Sequence, residues 1–472
     1  MTLLEFTAGL FFATCPALIA QEAPPSATPP APPADAAPLS GAAPSTLAEC
    51  VRLARAHSPS LKSAAAVAEA RELEHQSAQA QWLPTLDADG RYGREGTSSP
   101  FTRRSVEAAP GRAAQAGQDR QWRWAGSVGL TARQLLYDGD RLNSDIEAAG
   151  LTAQQSKIEQ RLNAEDTVFE AVRAHIRLFD ARQQVEIQAA TLESLRALET
   201  LVRRRVEEKA EESASLIQVQ GRIARSESSL IGTEAELLSA ESDYERVTGV
   251  RPGPLSFENG PERSYKSREE ALAAAASHPA IQGSALAVDE GEARLKSRES
   301  ALKPRVFAEL SARERSDDNA SNGETTVYGA YLTAEWNLFR GGADVKAIEA
   351  GVRLVDAAEA QLVGTQRKVF QEIHETWNQL VAAERQTALA LAQEESAQQT
   401  FRVYQEQYKA SRRSLFDLLN ITEELAQSKA ASRSSKNRLA FLRYRLKGSL
   451  AQLAECFPEE AKSSSTPHSA QP

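Results

Sequence analysis

Aromatic residues make up only 6% of this 472-residue chain, and Ala, Glu, Gln, Arg, Leu and Ser dominate it. Such a composition suits long helices with heptad-like seams better than a compact mixed core. Basic excess is also missing. The net charge of -9 argues against nucleic acid as the main partner, because phosphate binding needs a basic surface. After the first 20 positions no run of 18 apolar residues occurs, which excludes a helical membrane span but not a β-barrel, whose strands carry a much weaker signal. Six histidines (57, 75, 175, 278, 374 and 468) are scattered, and no HExxH, CxxC pair, phosphate loop or GxSxG occurs. The expectation is a non-enzyme with no cofactor and no metal.

The start of the chain has the outline of an export signal. Leu10 to Ala20 is apolar and ends in small residues before Gln21, although no Lys or Arg precedes it and Glu5 stands where positive charge is usual. We assign 1–20 as a signal peptide, with Cys15 read as an inert cysteine within it rather than a lipid anchor. Residues 21–45, rich in Pro and Ala, read as a linker, and 457–472 as a disordered tail. Signal removal leaves Cys50 and Cys456, an even pair in an oxidising compartment. A disulfide between them would close almost the whole chain; two unrelated thiols is the plainer alternative.

The chain repeats itself. Pro59 and Pro279 are 220 residues apart (HSPSL and SHPAI), as are Pro84 and Pro304. LLYDG (135–139) matches NLFRG (337–341) at an offset of 202, and SL at 215–216 matches SL at 414–415 at 199. The falling offset places an insertion in the first half, mostly between Gly93 and Gln121. We divide the chain into a first repeat (46–250), a turn-rich linker (251–267) and a second repeat (268–456). Each repeat runs short helix, medium helix, strand, loop, strand, very long helix, turn, long helix. The hairpins fall at about 86–137 and 306–339, and the helical hairpins at about 140–249 and 341–455. Pro84 and Pro304 stop the helices before them, because proline lacks a backbone donor and clashes with the preceding turn.

The strands alternate with period two. In the second, Trp122, Trp124, Val128, Leu130, Ala132 and Leu136 share one face, while Arg123, Ser127, Thr131 and Arg133 share the other. In the fourth, Tyr328, Ala330, Leu332, Ala334, Trp336 and Leu338 alternate with Gly329, Thr333, Glu335 and Asn337. Tyr92, Trp122, Trp124, Tyr328 and Trp336 read as a girdle at the edges of a membrane barrel, apolar outside and polar inside. A half-buried sheet packed on helices would show the same alternation. Four strands leave two open edges, which hydrocarbon does not tolerate. Three chains give twelve strands, an even number wide enough to leave a lumen. Oligomerisation is thus a physical requirement of this reading.

From Gly341 to Lys409 apolar residues keep strict 3/4 spacing, from Val345, Ile348 and Val352 through Val369, Ile373 and Leu380 to Phe401, Tyr404 and Tyr408. A seam so sustained predicts a coiled-coil helix, about 100 Å long at 1.5 Å per residue. The segment from Asp140 to Glu208 matches it. A soluble coiled-coil scaffold would explain these seams, but not the girdled strands set between them at duplicated positions.

From about Thr46 to Leu453 the chain resembles the TolC family of outer-membrane efflux and secretion proteins. The resemblance is carried by LLYDGD (135–140), WNLFRGG (336–342), YKASRRSLFDLLN (408–420) and LRYRLKGSLAQL (442–453). RSLFDLLN and WNLFRGGAD look closer to the outer-membrane components of type I secretion than to drug-efflux members. The resemblance implies a mainly helical homotrimer with membrane strands: a 12-stranded β-barrel, four strands per chain, continued by a periplasmic α-helical barrel. It implies a hexameric periplasmic adaptor and an inner-membrane ABC transporter or proton-driven pump as partners, and outer-membrane lipid around the barrel. It also implies a gate at the periplasmic tips. Tyr408 and Arg413 match link residues and Asp417 a constriction acid, whose three copies would repel one another and attract cations. Asn420 stands in place of a second acid, Gln218 in place of an acidic link partner, and Ser411 in place of a turn glycine, suggesting a different tip geometry. Ser215, Leu216, Ser411, Arg412, Ser414 and Leu415 are the expected adaptor contacts. Cys50 and Cys456 would both lie near the equatorial belt, which favours their pairing.

Overall fold

The computed structural model describes residues 46–97, 121–257, 260–317 and 323–458. The signal-like segment with Cys15, the Pro/Ala linker, the bulk of the first-repeat insertion and the end of the tail lie outside them. The first repeat comprises α1 (Leu47–His57), α2 (Pro59–Ala80), β1 (Thr85–Thr97), β2 (Gln121–Tyr137), α3 (Arg141–Glu207) and α4 (Ser213–Thr248). The second repeats that order with α5 (Arg268–Ala274), α6 (Pro279–Glu299), β3 (Arg305–Asp317), β4 (Gly323–Glu335), α7 (Ala343–Lys409) and α8 (Leu415–Gly448). Pro59 and Pro279 each occupy the first turn of a helix, where the missing N–H costs nothing. Ser58 Oγ and His278 Nδ1 cap those helices by accepting from Leu61 N (3.3 Å) and Ala280 N (3.1 Å).

The four strands form one antiparallel sheet in the order β1-β2-β3-β4. The register aligns side chains of like character. Leu86, Ala132, Leu310 and Ala330 lie opposite one another on one face; Asp87, Thr131, Ser311 and Gly329 do so on the other. No described residue covers the apolar face, and Leu86 and Leu332 are both 73% exposed. Ion pairs knit the polar face. Arg313 of β3 reaches across β2 to Asp89 of β1 (3.1 Å), directly over Gly129, where an added Cβ would lie 2.7 Å from Asp89 Oδ1. Arg133 of β2 crosses over the Phe307 ring of β3 (3.8 Å) to Glu335 of β4 (2.9 Å).

The girdle is not uniform. Tyr92 and Trp124 stack near the hairpin end of the sheet, whereas Tyr328 sits in mid-strand opposite Ala312. Trp122 belongs to β2, but its side chain lies outside the described ones. Trp336 falls beyond the end of β4, which stops at Glu335 rather than running on to Leu338. There its indole N–H donates to Leu302 O (3.0 Å), fastening the foot of β4 to the turn before β3.

Each strand leads into, or out of, one helix of the layer beneath it. Neighbouring helices pack in the order α2, α3, α6, α7, the same order as the strands they continue. The corners after β2 and β4 are left-handed pairs, Gly139–Asp140 and Gly341–Gly342. Gly139 O accepts from Ser300 Oγ (2.7 Å) and Lys303 Nζ (3.0 Å), and buried Asp138 caps α3 through Leu142 N (2.7 Å). Farther from the sheet, α4 pairs with α3, α8 pairs with α7, and α3 meets α8.

Both long helices have 67 residues. The α7 seam is buried or half-buried from Val369 downwards, while Val345 and Val352 near the sheet stay 53% and 42% exposed. The reason is position: α7 is an edge helix, and on the flank away from α6 no described element packs against its upper part. No described helix is long and apolar enough to cross a membrane.

Three apolar clusters hold the helices together, one per repeat at the equator and one at the tips. In the first, Val168, Ala171, Val172 and Leu178 meet α1 and Leu453. Glu165 binds the C-terminal segment to α3 by accepting from Leu453 N (2.9 Å) and Ala454 N (3.0 Å). The two thiols are separate and free. Cys50 donates to Ala171 O (3.6 Å), and burial pushes its pKa up to about 12. Cys456 instead lies 3.2 Å from Lys447 Nζ. The pairing that the resemblance favoured is not formed in the structure: Cys50 is buried in the first cluster, while Cys456 lies on the C-terminal segment beside Lys447.

His175 stands in the first repeat where Trp377 stands in the second. It is fully buried between Tyr244 and Phe257, with Nε2 3.2 Å from Ser256 O. Burial lowers its pKa from 6.5 to about 4. The folded chain therefore binds this proton less readily than the unfolded one. The stability that goes with neutral His175 is complete above pH 6.5 and is lost as pH falls towards 4, by about 3 kcal/mol. Thermal melts between pH 7 and 4.5 should show this loss, and His175→Phe should remove that part of the pH dependence; an unaltered pH profile in the variant would exclude His175 as its source.

Candidate functional site at the periplasmic tips

The two helix-to-helix turns are built alike. After α3, Glu208 caps the helix and Lys209 turns left-handed (φ 57°), with Ala210 N donating to Arg205 O (2.8 Å). After α7, Ala410 caps and Ser411 turns left-handed (φ 58°), with Arg412 N donating to Gln407 O (2.9 Å). Both are Schellman-type endings, and neither uses glycine. Ser411 adopts the left-handed conformation that glycine favours, at a cost of about 1 kcal/mol. The offset of 202 holds to the end of the turn, since α4 starts at Ser213 and α8 at Leu415. Leu216 thus corresponds to Leu418, and the SL match at 199 is not a structural equivalence.

Tyr408 is the centre of the site. It is 2% exposed, and its hydroxyl donates to Glu211 Oε2 on the other tip (3.2 Å). Arg205 lies over its ring (4.8 Å) and donates to Tyr408 O (3.0 Å) and Ser411 Oγ (2.9 Å), with Nε 3.5 Å from Glu211 Oε2. Ser215 Oγ donates to the other Glu211 oxygen (3.1 Å). Burial, with the nearby Glu211 charge, pushes the Tyr408 hydroxyl up to about 12, so it stays a donor at any physiological pH. Gln218 is exposed on α4 and joins none of these bonds. The acidic partner thought to be missing there is supplied by Glu211, seven residues earlier in the turn. Sequence reasoning missed Glu211 and Arg205, although a Glu and an Arg flanking a tight turn were visible.

Arg413, just before the N-cap of α8, meets Asp417 on its first turn. Arg413 Nε lies 3.3 Å from Asp417 Oδ2, close enough to pair but not aligned as a hydrogen bond. The guanidinium stacks on Tyr404 (3.9 Å). Ser414 is the N-cap: its Oγ accepts from Asp417 N (3.2 Å) and donates to Asp417 Oδ2 (2.8 Å). Asn420 Oδ1 accepts from Arg222 (3.0 Å), which also pairs with Glu423, tying α4 to α8. Of the expected adaptor contacts, Ser411, Arg412 and Ser414 are exposed. Leu415 is buried and Leu216 packs against the same cluster, so both hold the tips together from inside. The exposed apolar groups there are Ile217 (69%) and Phe416 (56%).

The arrangement is a set of charge-assisted contacts linking two hairpin ends.

The chain is similar to known proteins over most of its length. The family model described as outer membrane efflux protein matches residues 50–250 and 272–455. The outer membrane efflux protein BepC of Brucella suis biovar 1 (strain 1330) is 24% identical over 329 residues, covering 69% of this chain and 72% of BepC. Two solved structures share the fold. The CmeC outer membrane channel of Campylobacter jejuni has a TM-score of 0.74 at 15% identity, covering 86% of each chain. The outer membrane protein VceC of Vibrio cholerae has a TM-score of 0.71 at 16% identity, covering 86% of this chain and 96% of that one. With its duplicated hairpins, its uncovered apolar sheet face and its long paired helices, the chain belongs to the outer membrane efflux protein family, residing in the outer membrane with its helices in the periplasm.

Proposed function

We propose that three copies of this chain close into a twelve-stranded barrel continued by a helical tube, and that the duct exports proteins by type I secretion. One observation carries the closure: strands and helices follow one order, and both layers end in open flanks, β1 with α2 and β4 with α7. Edge strands beside an uncovered apolar face need partners in lipid, and a second copy presents the complementary edge. The protein-export reading rests on RSLFDLLN (413–420) and WNLFRGGAD (336–344). A hexameric adaptor would engage the two like-built tips of each protomer. An inner-membrane ABC transporter would supply the energy, and the duct itself would be non-enzymatic. Efflux of small molecules with a proton-driven pump is the second reading, favoured by the family's description.

In the closed duct Asp417 would line the constriction, with Tyr408 and Arg413 restraining it. In planar bilayers, Arg413→Ser should raise single-channel conductance severalfold, since it removes the guanidinium that links Asp417, on the first turn of α8, to Tyr404 of α7. Glu211→Gln should raise it less, because the amide oxygen still accepts from Tyr408. Unchanged conductance in both would remove these residues from the gate. Deleting the gene in its host separates the two cargo readings: loss of a large secreted polypeptide with unchanged drug tolerance supports secretion, and the reverse pattern selects efflux.

A further inference from the structure

The outward face of the sheet carries charge near its hairpin end: Arg94 on β1, and Glu314 on β3 opposite Val128. Successive β1 residues alternate faces, so Arg94 shares the lipid-facing side with Leu86, Ala88 and Tyr92, and it lies directly opposite Trp124 of β2. A cation on the outward face of a barrel is costly in mid-membrane and tolerated only near the headgroups. Its level fits: Arg94 and Trp124 lie towards the hairpin end, the end remote from the periplasmic helices.

The surroundings form a platform. The Tyr92 and Trp124 rings stack 5.2 Å apart with planes within 12°. The Arg94 guanidinium stands over Trp124 at 5.8 Å. Tyr92 can lean across because its partner Gly126 lacks a side chain; a Cβ there would lie 3.3 Å from the Tyr92 ring. Tyr92 is 73% exposed and Trp124 50%, so no described residue covers the platform. Below it, towards the helices, Val128 and Leu130 of β2 continue the outward face and are likewise exposed.

We propose that Tyr92, Trp124 and Arg94 bind a phosphorylated glycolipid headgroup of the outer leaflet. The aromatic faces match the C–H face of a sugar ring, and the guanidinium offers paired N–H donors to a phosphate. The strip below receives acyl chains. A phospholipid would use the arginine but leave the aromatic platform without a sugar. This proposal rests on the barrel reading.

The test uses purified full-length protein in detergent, titrated with a bisphosphorylated diglucosamine lipid, its dephosphorylated form and phosphatidylglycerol, with retained lipid counted by native mass spectrometry. The bisphosphorylated glycolipid should bind tightest. Arg94→Gln should weaken it roughly tenfold, the loss of one charge-assisted contact, and leave the dephosphorylated form unaffected. Trp124→Leu should weaken both glycolipids and leave phosphatidylglycerol unchanged. Trp124→Phe, which keeps an aromatic face, should restore most of the glycolipid binding and guards against a folding defect. Equal retention of all three lipids, or Arg94→Gln and Trp124→Phe variants that lose every lipid alike, would overturn the site. Should the wild-type chain fail to insert into lipid vesicles at all, the barrel reading itself fails, and the two failures are told apart.

Discussion

An unpaired strand edge beside an apolar sheet face is the constraint from which the rest of this structure follows. Backbone N–H and C=O groups cannot be left bare in hydrocarbon, and β1 and β4 leave two rows of them. The helices inherit the problem, because each strand runs into one helix and the order is kept. The open flank of the sheet is therefore continued by the open flank of the helical layer, and whatever completes one completes the other. That explains why the α7 seam is half covered: its lower part meets α8, while its upper part waits at the margin.

Duplication gives the chain two copies of most parts, and the differences between the copies are informative. The corner after β2 has Asp138 as a buried helix cap; the corner after β4 has Arg340 in that place, and α7 starts with no side-chain cap. The equatorial cores differ in the same way, with neutral His175 in one repeat and Trp377, overlaid by Arg263 at 4.2 Å, in the other. The tips differ least in backbone and most in side chains. Lys209 and Ser411 make the same turn, yet only one of the hairpins carries Tyr408.

Much of this was legible in the sequence because it is periodic. Alternation marked the strands and the sheet's two faces, 3/4 spacing marked the long helices, and recurring prolines marked the repeat. What escaped lies where contacts join distant positions. Glu211 and Tyr408 are 197 residues apart, so their bond leaves no local pattern. The burial of Leu415 depends on how two hairpin ends meet, and an exposed serine-leucine pair looks the same in sequence as a buried one. Trp336 continued the alternation of β4 beyond the point where its backbone ladder stops. Ser411 was read by residue type, but a left-handed turn is enforced by the bonds around it as well as by glycine.

Gly129 has a consequence beyond its own strand. Its missing side chain is the gap through which Asp89 and Arg313, on the strands either side, hold each other. A methyl group there would press on both ends of that link at once. The three positions, drawn from both halves of the duplication, are thus coupled: Gly129→Ala obliges the exposed Asp89 carboxylate and Arg313 guanidinium to swing aside, and each charge then turns to water or another partner.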